Sequence, residues 1–135
     1  MRVPEFFSLM ALIAIGLQPT YADASSVPHE YSRSYTACMN KVVSTTDVVE
    51  CIGVEHKAQD RNLNAAYKAL MGSLSSERQK QLRTAQRAWI TYRDANCDFY
   101  FDPDGGTIAR LQANECVLSM TAQRAAELQA FGKLE

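Results

Sequence analysis

Ser76–Phe99, SERQKQLRTAQRAWITYRDANCDF, is the stretch whose reading decides the fold. Leu82, Ala85, Trp89, Tyr92 and Phe99 recur at helical spacing, which puts them on one face of an α-helix. Ser76 followed by Gln79 has the form of an N-terminal cap. At the other end Pro103 cannot extend a helix and biases Asp102 out of the helical region. Asp104-Gly105-Gly106 completes the break. A helix of roughly 25 residues is about 40 Å long, a full edge of a small domain.

The same period continues on both sides. Downstream, Thr107 is placed to cap a helix carrying Ile108, Leu111, Leu118, Ala122, Ala125 and Leu128, stopped by Gly132. Upstream, Asp47 with Glu50 resembles a capping arrangement for a helix with a stripe of Val48, Ile52, Leu63, Tyr67 and Leu70, ending near Gly72. Before it, Tyr31, Tyr35, Cys38, Met39 and Val42 predict a first helix from near His29, broken at Ser44-Thr45-Thr46. Apolar–polar alternation at period two is absent. The fold class is therefore all-α, a small disulfide-stapled bundle of about four helices. Short connections between long helices predict antiparallel neighbours.

Residues 1–24 read as a signal peptide. Arg2 stands before an apolar run from Phe6 to Leu17, and Ala22-Asp23-Ala24 offers cleavage after Ala22 or Ala24. The run is well short of the roughly 20 residues needed to cross a bilayer, and no cysteine stands at the cleavage point to take a lipid. The expectation is an exported chain, periplasmic or secreted, with no membrane anchor after cleavage and one domain over residues 25–135. Cleavage removes Arg2, Glu5 and Asp23 from the 14 basic and 15 acidic residues, leaving an even balance. Such a surface lacks the basic excess of nucleic-acid binders.

Cys38, Cys51, Cys97 and Cys116 in an exported chain predict two disulfides rather than four free thiols. Pairing Cys38–Cys51 and Cys97–Cys116 clamps two helix corners. Pairing Cys51–Cys97 and Cys38–Cys116 suits helices folded back around Gly72–Ser75. The first, local pairing is the expectation, and the second is its competitor.

Catalytic chemistry finds no constellation. His29 and His56 are the only histidines and lack metal-ligand spacing; no nucleophile triad, phosphate loop or haem motif is present. Asp102 and Asp104 form an acidic pair in a turn, where solvation gives no reason for a raised pKa. No enzyme activity, metal or cofactor is expected. Asp60, Asn64, Gln86, Arg93, Asp94 and Arg124 border apolar stripes and are expected to pair and fix helix register, with Trp89 and Tyr92 as core anchors.

Several strings carry a resemblance. They are Asp60-x-x-Leu63-Asn64-x-x-Tyr67-x-x-Leu70, the run from Ala85 through Gln86, Trp89, Tyr92, Arg93 and Asp94 to Cys97, Gly105-Gly106-Thr107, Cys116, and Thr121–Leu128 with Arg124. Together they resemble the LprI-like lysozyme-inhibitor domain, a small exported helical family, over nearly all of residues 25–135. The resemblance implies a protein partner, a lysozyme or another glycan-cleaving enzyme. The lipidation cysteine of the lipoprotein for which that family is named is absent here. The alternative is a structural or assembly module of the cell envelope. For a binder, the exposed turn Asp102, Asp104, Gly105, Gly106 and Thr107 is the candidate contact, with two glycines that free its backbone.

Overall fold

A computed structural model describes residues 30–134. The segment read as a signal peptide, its expected cleavage sites and His29 lie outside the described residues. The described chain forms four helices: α1 (Arg33–Met39), α2 (Thr45–Ser73), α3 (Ser76–Phe99) and α4 (Gly106–Gly132).

The helix starts differ in detail from the sequence reading, each time because a better-placed oxygen is available. α1 is capped by Ser32, whose side chain accepts from the Tyr35 amide, so it begins after Tyr31 and ends before Val42. α2 starts from a capping box of Ser44 and Asp47 rather than Asp47 with Glu50: Ser44 Oγ accepts from Asp47 N, and the Asp47 carboxylate accepts from Ser44 N. α3 is capped by Ser75, one residue earlier than expected. Gln79 instead spans the α2–α3 turn, donating to Met71 O and Leu74 O at 2.9 and 3.1 Å. α4 begins at Gly106 with no side-chain cap, so Thr107 does not perform that role.

The core joins α2 to α4. Residues Ile52, Glu55, Gln59, Leu63, Ala66 and Leu70 are buried along α2 at i, i+3, i+7, i+11, i+14 and i+18, a heptad-like seam. Opposite it lie Leu118, Thr121, Ala122, Ala125 and Leu128 of α4. Leu63, Ala66, Leu70, Ala125 and Leu128 form one cluster, flanked by Tyr67, Leu74, Leu82 and Trp89. Small side chains at Ala66, Ala122 and Ala125 let the two backbones come close, and this is the tightest helix pair.

α2 and α4 run in the same direction: Leu70 meets Leu128 near their C-termini, while Val48 and Leu111 share a groove near their N-termini. Short turns do make α3 antiparallel to both. The expected antiparallel neighbours are therefore present, but the main contact joins α2 and α4, which are not consecutive. Phe99, Tyr92 and Ile108, read as stripe residues, are 85%, 61% and 57% exposed.

Both disulfides are formed in the local pairing, Cys38–Cys51 and Cys97–Cys116, with Cα–Cα separations of 5.8 and 5.5 Å. The first ties α1 to the start of α2. The second ties the end of α3 to α4. Since α2 and α4 are parallel, both staples sit at one end of the molecule.

A buried carboxylate completes that end. Glu55, 2% exposed, accepts hydrogen bonds from the Ser32 amide, the Ser32 hydroxyl and the Gln59 side-chain amide. Burial pushes its pKa up, but these donors outweigh it and hold the carboxyl below its usual range. Nothing in the hydropathy pattern singles out Glu55 except its position inside an apolar stripe.

Candidate functional site

The sequence-predicted residues separate into two places. One is the stapled end, carrying the turn between α3 and α4. The other is a groove between α2 and α3.

At the stapled end, the chain leaves α3 through Phe99, Tyr100 and Phe101, turns through Asp102–Gly105, and enters α4 at Gly106. Asp102 organises this turn. Its Oδ1 accepts from the Asp104 amide at 2.9 Å, and its carbonyl accepts from the Gly105 amide at 3.0 Å. The two glycines have different causes. Gly106 has φ +61°, a conformation that favours glycine. At Gly105 a Cβ would lie 2.7 Å from the Ala109 Cβ and 3.2 Å from the Asp102 Cβ, so the turn folds against the first turn of α4. Thr107 is exposed.

This end displays more apolar surface than a polar turn requires. Phe99 is 85% exposed, and Tyr100, Phe101 and Ile108 are 45%, 47% and 57% exposed. Asp98, Asp102 and Asp104 are interspersed among them and exposed. Cys97 lies just before the aromatic run and Cys116 within α4, so the bridge holds the base of the turn. Beside it, Met39, Val48, Tyr100, Leu111 and Met120 line a groove of about 720 Å³. The aromatics were missed as a surface feature. The available signal is their adjacency: three consecutive side chains project in different directions at a helix end and cannot all face one core.

The groove between α2 and α3 gathers residues from two distant strings. Asp60, Leu63, Asn64 and Tyr67 line one wall; Gln86, Trp89 and Arg93, with Arg83, Arg87 and Ile90, line the other. Trp89 is held between two cations, with Arg93 Cζ 5.1 Å and Arg124 Cζ 5.9 Å from its ring centroid. Arg93 donates twice to Asp94 Oδ1, at 2.9 and 2.7 Å, and once to Thr121 Oγ1 of α4 at 3.4 Å. Arg124 donates to Gln86 Oε1 at 3.1 Å and to Glu127 Oε2 at 3.1 Å. Asp60 accepts from Asn64 Nδ2 at 3.0 Å within its own helix. Tyr92 and Asp94 point out of the groove, Tyr92 being exposed and Asp94 lining a shallow depression with Cys97 and Phe101. Gly105 and Gly106 belong to the stapled end.

His56, near Arg93 and Asp60, has its pKa lowered, chiefly by burial; Arg93 adds to the lowering and Asp60 opposes it. Its buried Nε2 has no hydrogen-bond partner. Among the described residues no group of three or more His, Cys, Asp or Glu is placed to hold a metal, and no helix is long and apolar enough to cross a membrane.

Comparison with known proteins gives this geometry a family. A protein of Rhizobium meliloti (strain 1021), described as uncharacterised, is 29% identical over 102 residues, covering 65% of this chain and 73% of its own length. No solved structure gives a significant match. Residues 38–128 match the model of the family described as lysozyme inhibitor LprI, which spans both staples and all of α2, α3 and the turn. On that match, the chain belongs to the LprI lysozyme inhibitor family.

Proposed function

We propose that this protein acts outside the cytoplasm, in the periplasm or after secretion, as a lysozyme-inhibitor-like binding protein. Its stapled turn, Phe99–Ile108, would cover or enter the cleft of a peptidoglycan-cleaving enzyme. The observation that carries the reading is the set of exposed aromatics, Phe99, Tyr100 and Phe101, on a turn anchored by a disulfide. Aromatic side chains supply much of the binding energy at protein interfaces, and a surface held in shape before binding loses less entropy on docking.

The charge pattern supports the same surface. Glycan-cleaving enzymes of this kind work with a carboxylate pair in a cleft, so an inhibitor need only block access to it. Asp102 and Asp104 would meet a basic rim around such a cleft, steering association in a salt-dependent way. The test is inhibition of a lysozyme's cell-wall lysis by the oxidised protein over residues 25–135. Dose-dependent inhibition supports the reading. Full lysis at a large molar excess removes it.

A second reading is favoured by the even balance of charge left after cleavage, which gives no long-range attraction to a strongly basic enzyme. In it, the domain is an assembly module of the cell envelope that docks another protein without inhibiting an enzyme.

A further inference from the structure

The α2–α3 groove holds more positive charge than its own structure consumes. Its lining contains three arginines, Arg83, Arg87 and Arg93, against one carboxylate, Asp60. Arg93 is committed to Asp94 and Thr121, and Asp60 to Asn64. Arg83 and Arg87 form no ion pair among the described residues. They stand one helical turn apart on the same face of α3, with Cβ atoms about 5–6 Å from each other.

A solvated row of arginines on an outward face would carry no such implication. Here half-buried Arg83 and the more exposed Arg87 border a groove of about 350 Å³ whose two walls also bring Leu63, Trp89 and Ile90 together. The far wall carries Asn64 and Tyr67, which offer an amide and a phenol to a main chain. Because α3 runs antiparallel to α2, Arg83 and Arg87 face the Asn64–Tyr67 end, away from Asp60. A guanidinium matches a carboxylate with paired, charge-assisted hydrogen bonds. In an extended peptide, residues two apart project to one side about 6.6 Å apart, close to the separation of the two arginines.

We propose that the groove between α2 and α3 is a binding site for an extended acidic peptide, whose two carboxylates pair with Arg83 and Arg87. This site is separate from the stapled turn, and its occupancy does not depend on inhibition of an enzyme.

Trp89 is the protein's only tryptophan, so its emission reports on the groove directly. The probe is the blocked pentapeptide Gly-Glu-Gly-Glu-Gly, titrated into the oxidised protein, with Gly-Gln-Gly-Gln-Gly and inorganic phosphate as parallel arms. The expected result is a saturable emission change with the glutamate peptide alone, weakening as salt rises. Arg83→Gln with Arg87→Gln should weaken that binding roughly tenfold or more, because charge-assisted bonds are lost, while the melting temperature stays unchanged. No saturable change, equal binding of the glutamine peptide, or undiminished binding by the double variant would overturn the proposal. Saturation by phosphate at the same concentrations would also overturn it, by showing a general anion site.

Discussion

Arg124 of α4 donates its Nε–H to Gln86 Oε1 of α3 at 3.1 Å, joining residues 38 positions apart in the chain. Gln86 is 7% exposed, and the same guanidinium lies over Trp89, so one arginine satisfies a buried amide and covers an indole. Arg124→Ala leaves Gln86 Oε1 without this donor and uncovers the ring. A loss of about 1.5–3 kcal/mol in urea unfolding is expected, the range for a hydrogen bond to a charged group. A red shift of Trp89 emission should accompany it. A variant with unchanged stability and emission would show that this bond does not fix the register of α3 on α4.

The staples should contribute unequally to shape but comparably to stability. Their sequence separations are 13 and 19, so loop-closure entropy gives each about 3 kcal/mol. Replacing either pair by serine should cost about 2–5 kcal/mol in chemical unfolding. Loss of Cys97–Cys116 should additionally raise amide exchange in Asp98–Thr107, while loss of Cys38–Cys51 should raise it in α1.

Stability should fall in two steps on acidification. His56 has a folded pKa below its unfolded value, so its contribution is fully present above about pH 6.5 and is lost as pH falls through the lowered value. Glu55 is likewise lowered, so its contribution is present above about pH 4.5 and is lost as pH falls through its folded pKa. Unfolding of His56→Gln should lack the upper step and keep the lower one. Glu55→Gln should keep the upper step and diminish the lower one, to which the lowered Asp47 carboxyl also contributes, with an overall loss from the weakened Ser32 anchor. Thermal melts from pH 3 to pH 8 test both.

Gly105 and Gly106 should fail differently. Gly106→Ala places a side chain at φ +61° in open space, for an expected loss of about 1–2 kcal/mol with the turn otherwise retained. Gly105→Ala meets the Ala109 Cβ, so the turn must move away from α4. Pairing it with Ala109→Gly should recover part of the lost stability, because glycine within α4 costs roughly 0.5–1 kcal/mol of its own and the Asp102 Cβ contact at 3.2 Å remains. Failure of that rescue would show that the contact with Ala109 does not set the requirement for glycine.

The helical class, its breaks and the stripe on α2 were legible because burial imposes a period on the sequence, as at Ile52, Leu63 and Leu70. The staples are legible as the local pairing of helix corners, Cys38–Cys51 and Cys97–Cys116, which the structure shows. Caps were misplaced by one to three residues because several adjacent Ser, Thr and Asp residues offer similar oxygens, as at Ser44–Asp47 and Ser75–Ser76. The parallel α2–α4 core was not legible: periodicity shows which face is buried but not against which helix. Exposure of Phe99, Tyr92 and Ile108 is not legible for the same reason, since each fits a helical stripe whichever way that face is turned. The convergence of Asp60, Asn64, Tyr67, Gln86, Trp89 and Arg93 on one groove required the antiparallel register of α2 and α3.

Under the proposed function, inhibition resides in the stapled turn. The most direct test is lysozyme inhibition by the Asp102→Ser, Asp104→Ser and Phe101→Ser triple variant beside the parent protein, with melting temperatures measured in parallel. The side chains replaced are exposed, although Asp102 Oδ1 also holds the turn, so serine is chosen to keep an oxygen there. The expected result is inhibition by the parent that falls at least tenfold in the variant, on the order of 1.4 kcal/mol, with the melting temperature nearly unchanged. Undiminished inhibition by the variant would contradict the claim and move the inhibitory surface to a helical face.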